Sequence, residues 1–390
     1  MNRRSFLKMT SIIPIMVSES CHANNNISKN LNSSTQKFVQ WLKPLQSTTA
    51  QGLFPYMETK NATCLSIVAS AKLLLFFLRI GDIDSATVIG NGLVYWQKRS
   101  QQQGSKFAKG GLPTEIYLNS NQPLGDYYYA SDNLLSIHAL YELYKVTNNG
   151  SFAETALSIG HWFEQNLLDG VRHSLWKTNY GPAMHYLTSK GAFDNTIHGA
   201  GDFLWLVALK DLHALESNHG WQQRLAKAIN FMQDAQMSSG AWFTYFQPDK
   251  NKTAGKWYGY RGDDITIGDD NLRSALAAQH FGMTKQEEQF TKWLQPYDDV
   301  MLWGYLNTQK SSPKFLPSDT PYFDVVCTGL LRTWYRRRGQ NDLANKCQNR
   351  LDSLQASDGG WYWAAKQSNL KPLNNEKAII TGCWALVDIL

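Results

Sequence analysis

From about residue 34 onward the chain alternates two kinds of segment. The first kind is amphipathic: Phe38, Trp41, Leu42 and Leu45, and later Ala226, Ile229 and Met232, recur at helical spacing with polar residues between them. These patterns predict helices near 35–45, 84–99, 152–168, 221–236, 285–294 and 342–354. The second kind is apolar almost all round, as in Ile67-Val68-Ala69-Ser70-Ala71-Lys72-Leu73-Leu74-Leu75-Phe76-Phe77-Leu78, which suits a helix covered on both sides. Such segments fall near 62–78, 133–146, 196–215, 271–281, 325–338 and 377–390.

Between an amphipathic helix and the apolar one after it stand a glycine, an aromatic residue and a loop of some 15 to 30 residues. The glycines are those of Gly52-Leu53-Phe54, Gly104-Ser105-Lys106-Phe107, Gly170 leading to Trp176, Gly240-Ala241-Trp242, Trp303-Gly304 and Gly359-Gly360-Trp361. A glycine just past a helix end acts as a left-handed cap, and the aromatic behind it can fold back over the helix. Strand-like alternation is confined to short pieces such as 242–246, which disfavours an α/β fold. Six pairs, outer amphipathic and inner apolar, predict an all-α ring. This organisation resembles the (α/α)6 toroid of the six-hairpin glycosidase superfamily, over one domain spanning 34–390. An open solenoid of hairpins is the other architecture such a repeat allows, but the ends lack polar capping repeats.

The first residues read differently. Asn2-Arg3-Arg4-Ser5-Phe6-Leu7-Lys8 resembles the twin-arginine export motif, the apolar run 9–17 is too short to span a membrane, and Ser20-Cys21-His22-Ala23 offers a cleavage point after Ala23. The expected layout is a signal peptide over 1–23, a flexible segment over 24–33, and a mature protein that is periplasmic or secreted, with the twin-arginine machinery as partner. Losing Arg3, Arg4, Lys8 and Glu19 lowers the formal charge from +6 to +4 (6 − 3 + 1), too weak to argue for nucleic acid. No other run is long and apolar enough for stable membrane insertion.

Cofactor chemistry finds little support. Cys64, Cys327, Cys347 and Cys383 form no Cys-x-x-Cys pair, and there is no haem attachment motif or glycine-rich dinucleotide fingerprint, so no cofactor is expected. Asp263, Asp264, Asp269 and Asp270 could hold Ca²⁺, but they lack the ligand spacing of an EF-hand loop, and no metal is required.

In a ring of this kind the inner helices run the same way, so their N-terminal ends and the preceding loops converge on one face. That face collects Asp132, Asp194, Asn195, His198 and Asp324, together with the dense stretch 258–273, which holds Tyr258, Tyr260, Arg261, Asp263, Asp264, Asp270 and Arg273. Tyr128 and Trp257 add flat rings suited to the C–H faces of a sugar. Asp132, Asp194, Asp270 and Asp324 all stand where an N-cap belongs, which accounts for each of them structurally. Capping does not account for four acids within 263–270, with Arg261 and Arg273 as their natural partners.

Glycoside hydrolysis needs two carboxyl groups flanking the bond. One of Asp263, Asp264 or Asp270 with Asp132 or Asp194 would supply them from different hairpins, with Tyr128, Asn195, His198, Trp257, Tyr258, Tyr260, Arg261 and Asp324 binding substrate. The alternatives are a lyase or epimerase on uronate polymers, using Asn195, His198, Tyr260 and Arg261, and a non-catalytic glycan-binding envelope protein. The Gln355-to-Trp361 segment is similar to the Gln-x-x-x-Gly-x-Trp repeat of triterpene cyclases; a helix-capping and aromatic-packing device is the preferred account of it.

Overall fold

The computed structural model describes residues 31–45, 52–55, 64–102, 105–117, 123, 127–167, 186–188, 190, 197–198, 203–243, 245–248, 255–258, 265–295, 305–307, 322–366, 371–372 and 377–386. The export segment 1–23 lies outside them, as do Asp194, Asn195, Tyr260, Arg261, Asp263 and Asp264.

The amphipathic helices are α1 (Ser33–Leu42), α3 (Ile83–Gln101), α5 (Gly150–Asn166), α7 (Trp221–Asp234), α9 (Thr284–Leu294) and α11 (Asn341–Ser353). The apolar ones are α2 (Ile67–Arg79), α4 (Ala130–Thr147), α6 (Phe203–Leu215), α8 (Gly268–His280), α10 (Val325–Arg337) and α12 (Ile379–Leu386). Each apolar helix packs on its two apolar neighbours in order, α2 on α4, then α6, α8, α10 and α12, and α12 returns to α2. This is the closed (α/α)6 ring, with the amphipathic helices packed around it; an open solenoid is excluded by the α12–α2 contact. Short turns join each inner helix to the following outer one, so the inner helices run parallel and the long loops reach their N-terminal ends together.

Several starts are fixed by side-chain caps: Asn32 accepts from Thr35 N at 2.8 Å, Ser66 from Ala69 N at 3.3 Å and Asp82 from Ser85 N at 3.1 Å. The end of α12 is satisfied from outside. Arg332 of α10, fully buried, donates to the carbonyls of Trp384 and Ala385 and to Gln348 Oε1 at 2.8 Å.

Three inner helices, α2, α6 and α12, begin later than their apolar pattern predicts, α12 at Ile379 and not at 377. Residues 64–66 form strand β1 (Cys64–Ser66), and 197–198 form β5 (Ile197–His198), so α2 starts at Ile67 and α6 at Phe203. His198 is therefore a strand residue and not an inner-helix histidine. The remaining strands are β2 (Glu115–Tyr117), β3 (Tyr127–Tyr129), β4 (Tyr186–Thr188), β6 (Tyr245–Pro248), β7 (Gly255–Tyr258), β8 (Ile265–Ile267), β9 (Tyr305–Asn307), β10 (Tyr322–Asp324) and β11 (Ala364–Lys366). One pairing recurs: β1 with β2, β3 with β4, β5 with β6, β8 with β9 and β10 with β11, all antiparallel. In each, a strand in the loop leading into one inner helix pairs with a strand from the next loop around the ring. Backbone groups that no helix can satisfy are thus paired between hairpins.

Two of the glycine–aromatic units, those of Gly240 and Gly359, are built in full as the sequence suggests, while Gly104, Gly170, Trp176, Trp303 and Gly304 lie outside the described residues. Trp242 Nε1 donates to Met232 O at 3.1 Å, and Trp361 Nε1 to Leu351 O at 2.9 Å, so each indole folds back on the outer helix just ended. Gln236 Nε2 bonds Gly240 O and Gln286 O, both at 2.9 Å; Gln355 Nε2 bonds Gly359 O and Ser34 O, also at 2.9 Å. The second acceptor lies on the next outer helix in each case, α9 or α1. The device is a clamp between neighbouring hairpins, and its copy at Gln355 closes the ring from end to start.

Gly240 and Gly359 have φ of 104° and 105°, and a Cβ on either would collide with a backbone carbonyl of that next helix, Gln289 or Lys37. Gly359→Ala is expected to cost about 2 kcal/mol or more, from the left-handed strain plus the displaced α1 contact. Gly150→Ala, at a helix position with open space around it, is expected to be neutral or stabilising by up to about 1 kcal/mol. Thermal denaturation of the two variants checks the contrast, and equal melting temperatures would refute it.

Candidate active site

Three of the four inner helices that follow a strand triplet share a construction at their first turn; in the fourth, α10, the corresponding Thr328 donates to Asp324 O instead. Four residues after the last strand residue stand Ser70 in α2, Asn133 in α4 and Asn271 in α8. All three side chains are buried and reach back to a loop backbone N–H: Ser70 Oγ accepts from Phe54 N at 3.0 Å, Asn133 Oδ1 from Leu112 N at 2.8 Å and Asn271 Oδ1 from Trp242 N at 2.7 Å. Asn133 also donates to Leu112 O at 3.0 Å. The glycine turn held by this bond is that of Gly110-Gly111-Leu112, with φ of 107° at Gly110; Gly104 lies outside the described residues.

With that position used to hold the loop, the residue before it and the one two places after it are three apart and share a helix face. In α4 the earlier residue is Asp132; in α8 the pair is Asp270 and Arg273; in α2 the later residue is Lys72. Asp324 ends β10 and begins α10. Asp132, Asp269 and Arg273 lie close enough to act electrostatically on Lys72, and Asp269 and Arg273 on Asp324. Arg273 Nη2 lies 2.7 Å from Asp269 Oδ2, and its Nη1 3.7 Å from Asp270 Oδ1. Asp132 is 5% exposed and Asp270 3%.

Burial and charge act on two groups strongly. Burial, reinforced by Asp269, pushes the Asp324 carboxyl up to about 7, against the bond it accepts from Cys327 N at 2.8 Å and the Arg273 charge. The residue keeps intermediate accessibility although its carboxyl is densely surrounded by protein. A carboxyl titrating there can cap the helix through Oδ1 while carrying a proton on Oδ2. Burial, reinforced by Arg273, lowers Lys72 to about 7, while Cys383, Asp269 and Asp132 act in the opposite sense. Lys72 is 6% exposed, and its Nζ lies 4.9 Å from the centroid of the Trp384 ring. Among the described residues it makes no ion pair. The groups that act on Lys72 place hairpins carrying α2, α4, α8 and α12 around one centre.

Of the residues expected at the site, Asp132, Asp270 and Asp324 are brought to this centre. Asp324 is the only one of the three that caps a helix by a side-chain bond. Asp132 and Asp270 lie inside the first turn, because Tyr129 holds the cap position of α4 without such a bond and α8 already begins at Gly268. Tyr128 is a correction of another kind. It is 1% exposed and packs on Trp162 at 5.8 Å, so it belongs to the core and cannot stack on a ligand. Its strand neighbour Tyr127, 47% exposed, points the other way. The backbones of His198, Trp257 and Tyr258 lie in β5 and β7, while their side chains, like all of Asp194, Asn195, Tyr260, Arg261, Asp263 and Asp264, lie outside the described residues. Lys72 was not anticipated; its signal was a lone cation within an otherwise apolar inner helix.

The closed ring is an (α/α)6 toroid, and solved structures of carbohydrate enzymes share that fold. Cellobiose 2-epimerase from Spirochaeta thermophila superposes with a TM-score of 0.68 at 14% identity, over 95% of this chain and 97% of that one. An alpha-amylase from Clostridium perfringens gives 0.67 at 12%, over 91% and 97%. An endo-beta-1,4-glucanase from Acetobacter xylinum gives 0.59 at 13%, over 90% and 95%. At such identities the likeness is one of fold. No protein-family model matches the chain, and no curated protein matches it in sequence.

Lys72 makes a stability prediction whose sign follows from its shift. Between pH of about 7 and 10.5 the unfolded chain holds this proton and the folded one does not, so stability rises with pH across that window and the full penalty applies below it. Lys72→Met should therefore raise the melting temperature most at pH below about 7, with the gain shrinking towards pH 10. Thermal scans at the two pH extremes check this, and a gain independent of pH would contradict it.

Proposed function

We propose that the protein is a carbohydrate-active enzyme that hydrolyses glycosidic bonds, with Asp324 as the general acid and Asp132 as the ionised carboxylate on the other side of the substrate. What carries the reading is their opposition. Asp132 belongs to the second inner helix of the ring and Asp324 to the strand–helix junction of the fifth, three hairpins apart in a ring of six. A chain lying across the centre would pass between them. The acid's elevated pKa suits a proton donor near neutrality, and a glycosidase needs two carboxyl groups whose environments drive their protonation apart. Arg273 fixes the positions of Asp269 and Asp270, which can meet substrate hydroxyls or the oxocarbenium-like transition state. Carboxyls from opposite hairpins leave room for an attacking water, so inversion of the anomeric centre is expected.

A panel of oligosaccharides and polysaccharides, read by reducing ends and by NMR of the new anomeric centre, tests this reading. Asp324→Asn should retain the helix cap and the fold while lowering turnover by about 10²–10⁴-fold. The wild-type rate should fall as pH rises through about 7, and a variant that keeps full activity would remove Asp324 from the chemistry.

A second reading, proton abstraction from a sugar as in epimerisation or uronate elimination, is favoured by Lys72, which at about 7 can act as a base. Epimer formation, or absorbance from an unsaturated product without new reducing ends, would support it over hydrolysis. Retention of glycans on an affinity gel with no product of any kind would indicate a binding protein.

We also propose twin-arginine export, supported by Arg3-Arg4 and the short apolar run behind them. Replacing both arginines with lysine should hold the protein inside the cell; unchanged export would overturn the assignment.

A further inference from the structure

A second cluster of chemistry-bearing side chains lies away from the ring centre, where α5 meets the turn between α6 and α7. His161 and Glu164 come from successive positions of one face of α5, Glu216 and His219 from the turn, and Trp221 and Arg224 from the start of α7. His161, Glu164 and His219 can each offer a ligand atom within 4.8 Å of the other two. Glu164 Oε2 stands 2.6 Å from His219 Nε2 and 3.8 Å from His161 Nδ1.

The remaining nitrogens and oxygens of these three residues are already engaged. His161 Nε2 lies 3.2 Å from Glu216 Oε2, and His219 Nδ1 lies 3.7 Å from the same oxygen, which also accepts from Trp221 Nε1 at 3.3 Å. Glu164 Oε1 is held by Arg224, whose guanidinium lies against the Trp221 ring. Such support is what a metal site uses: ligating histidines donate their other N–H to a carboxylate, and ligating carboxylates are themselves hydrogen-bonded. An ordinary ion-pair network has no reason to sort its atoms into one converging set and one outward-braced set.

We infer that His161 Nδ1, Glu164 Oε2 and His219 Nε2 bind a first-row divalent cation of borderline softness, with Zn²⁺ as the best fit. Two imidazoles and one carboxylate suit that ion, and water completes a tetrahedron. Ligand atoms of a tetrahedral site at about 2.0–2.1 Å from the metal lie roughly 3.3 Å apart, so small side-chain rotations suffice, with the His219–Glu164 contact opening to admit the ion. Glu216 braces both histidines and Arg224 braces the carboxylate. His161 and His219 side chains are 34% and 32% exposed, which leaves a path for entry. The bound ion staples the third outer helix to the turn that begins the fourth, a structural role independent of the reaction proposed above.

The test uses the full-length mature protein and ZnCl₂ alone. Competition with a chromogenic chelator at pH 7.5 should show one Zn²⁺ per chain and a raised melting temperature. The double variant His161→Ala/His219→Ala should lose about 100-fold or more in affinity, and Glu216→Gln about 10-fold. Wild-type crystals soaked in Zn²⁺ should give an anomalous peak among the three ligands, a readout that needs no variant to fold. Absence of stoichiometric binding, a peak elsewhere, or wild-type affinity in the double variant would overturn the site.

Discussion

A backbone N–H trapped where a long loop meets the start of a buried helix must find an acceptor, and three hairpins meet that demand from one place in the inner helix. Ser70, Asn133 and Asn271 accept from Phe54, Leu112 and Trp242 respectively. Much else follows from that bond. It fixes the residue that the preceding glycine turn delivers, so the aromatic or leucine enters the core beside the outer helix just ended. It also sets the helical phase of the first turn, and with it the face that looks onto the ring centre. Asp132, Asp270, Arg273 and Lys72 occupy that face because a neighbouring residue is committed to the loop.

The outer helices were legible because period 3.6 with one polar face admits few alternatives; α9 and α11 fall within one residue of their expected starts. The inner starts were less legible. Apolar strand residues such as Leu65 continue the hydrophobic run of the helix behind them, and a run without polar punctuation carries no period to show where a strand becomes a helix. This also misplaced the candidate caps. Counting from the apolar run puts Asp132 and Asp270 at the edge of the helix, whereas the strand triplet in front moves the true edge to Tyr129 and to the residue before Gly268. Tyr128 was drawn to the site by its neighbours in a tyrosine triplet, although strand alternation sends the middle residue of three to the opposite side, here into the core against Trp162.

Lys72 was hidden for a different reason. A single lysine in an apolar helix ordinarily runs its stem along the surface and leaves the ammonium in water. Here both flanks of α2 are covered by other inner helices, and the ammonium ends at Trp384 near the carboxylates of other hairpins. Covering a cation so incompletely paired opposes folding. Retaining such a group at the meeting point of the inner helices costs the fold stability.

The centre is assembled from hairpins far apart in the chain, so its geometry depends on the seam that joins the last hairpin to the first. That seam is built from the clamp of Gln355 on Ser34, the close approach of Gly359 to Lys37, and Phe38 packed where Gly382 leaves room for it. Trp384 and Cys383 reach Lys72 from α12, the helix whose end is held by Arg332. Loosening the seam moves α12 from α2 and with it the ring that shapes the Lys72 environment, while leaving the Arg273–Asp269 pair intact within α8. The packing around Lys72 thus rests on contacts made at the far end of the chain, through α1 and α12.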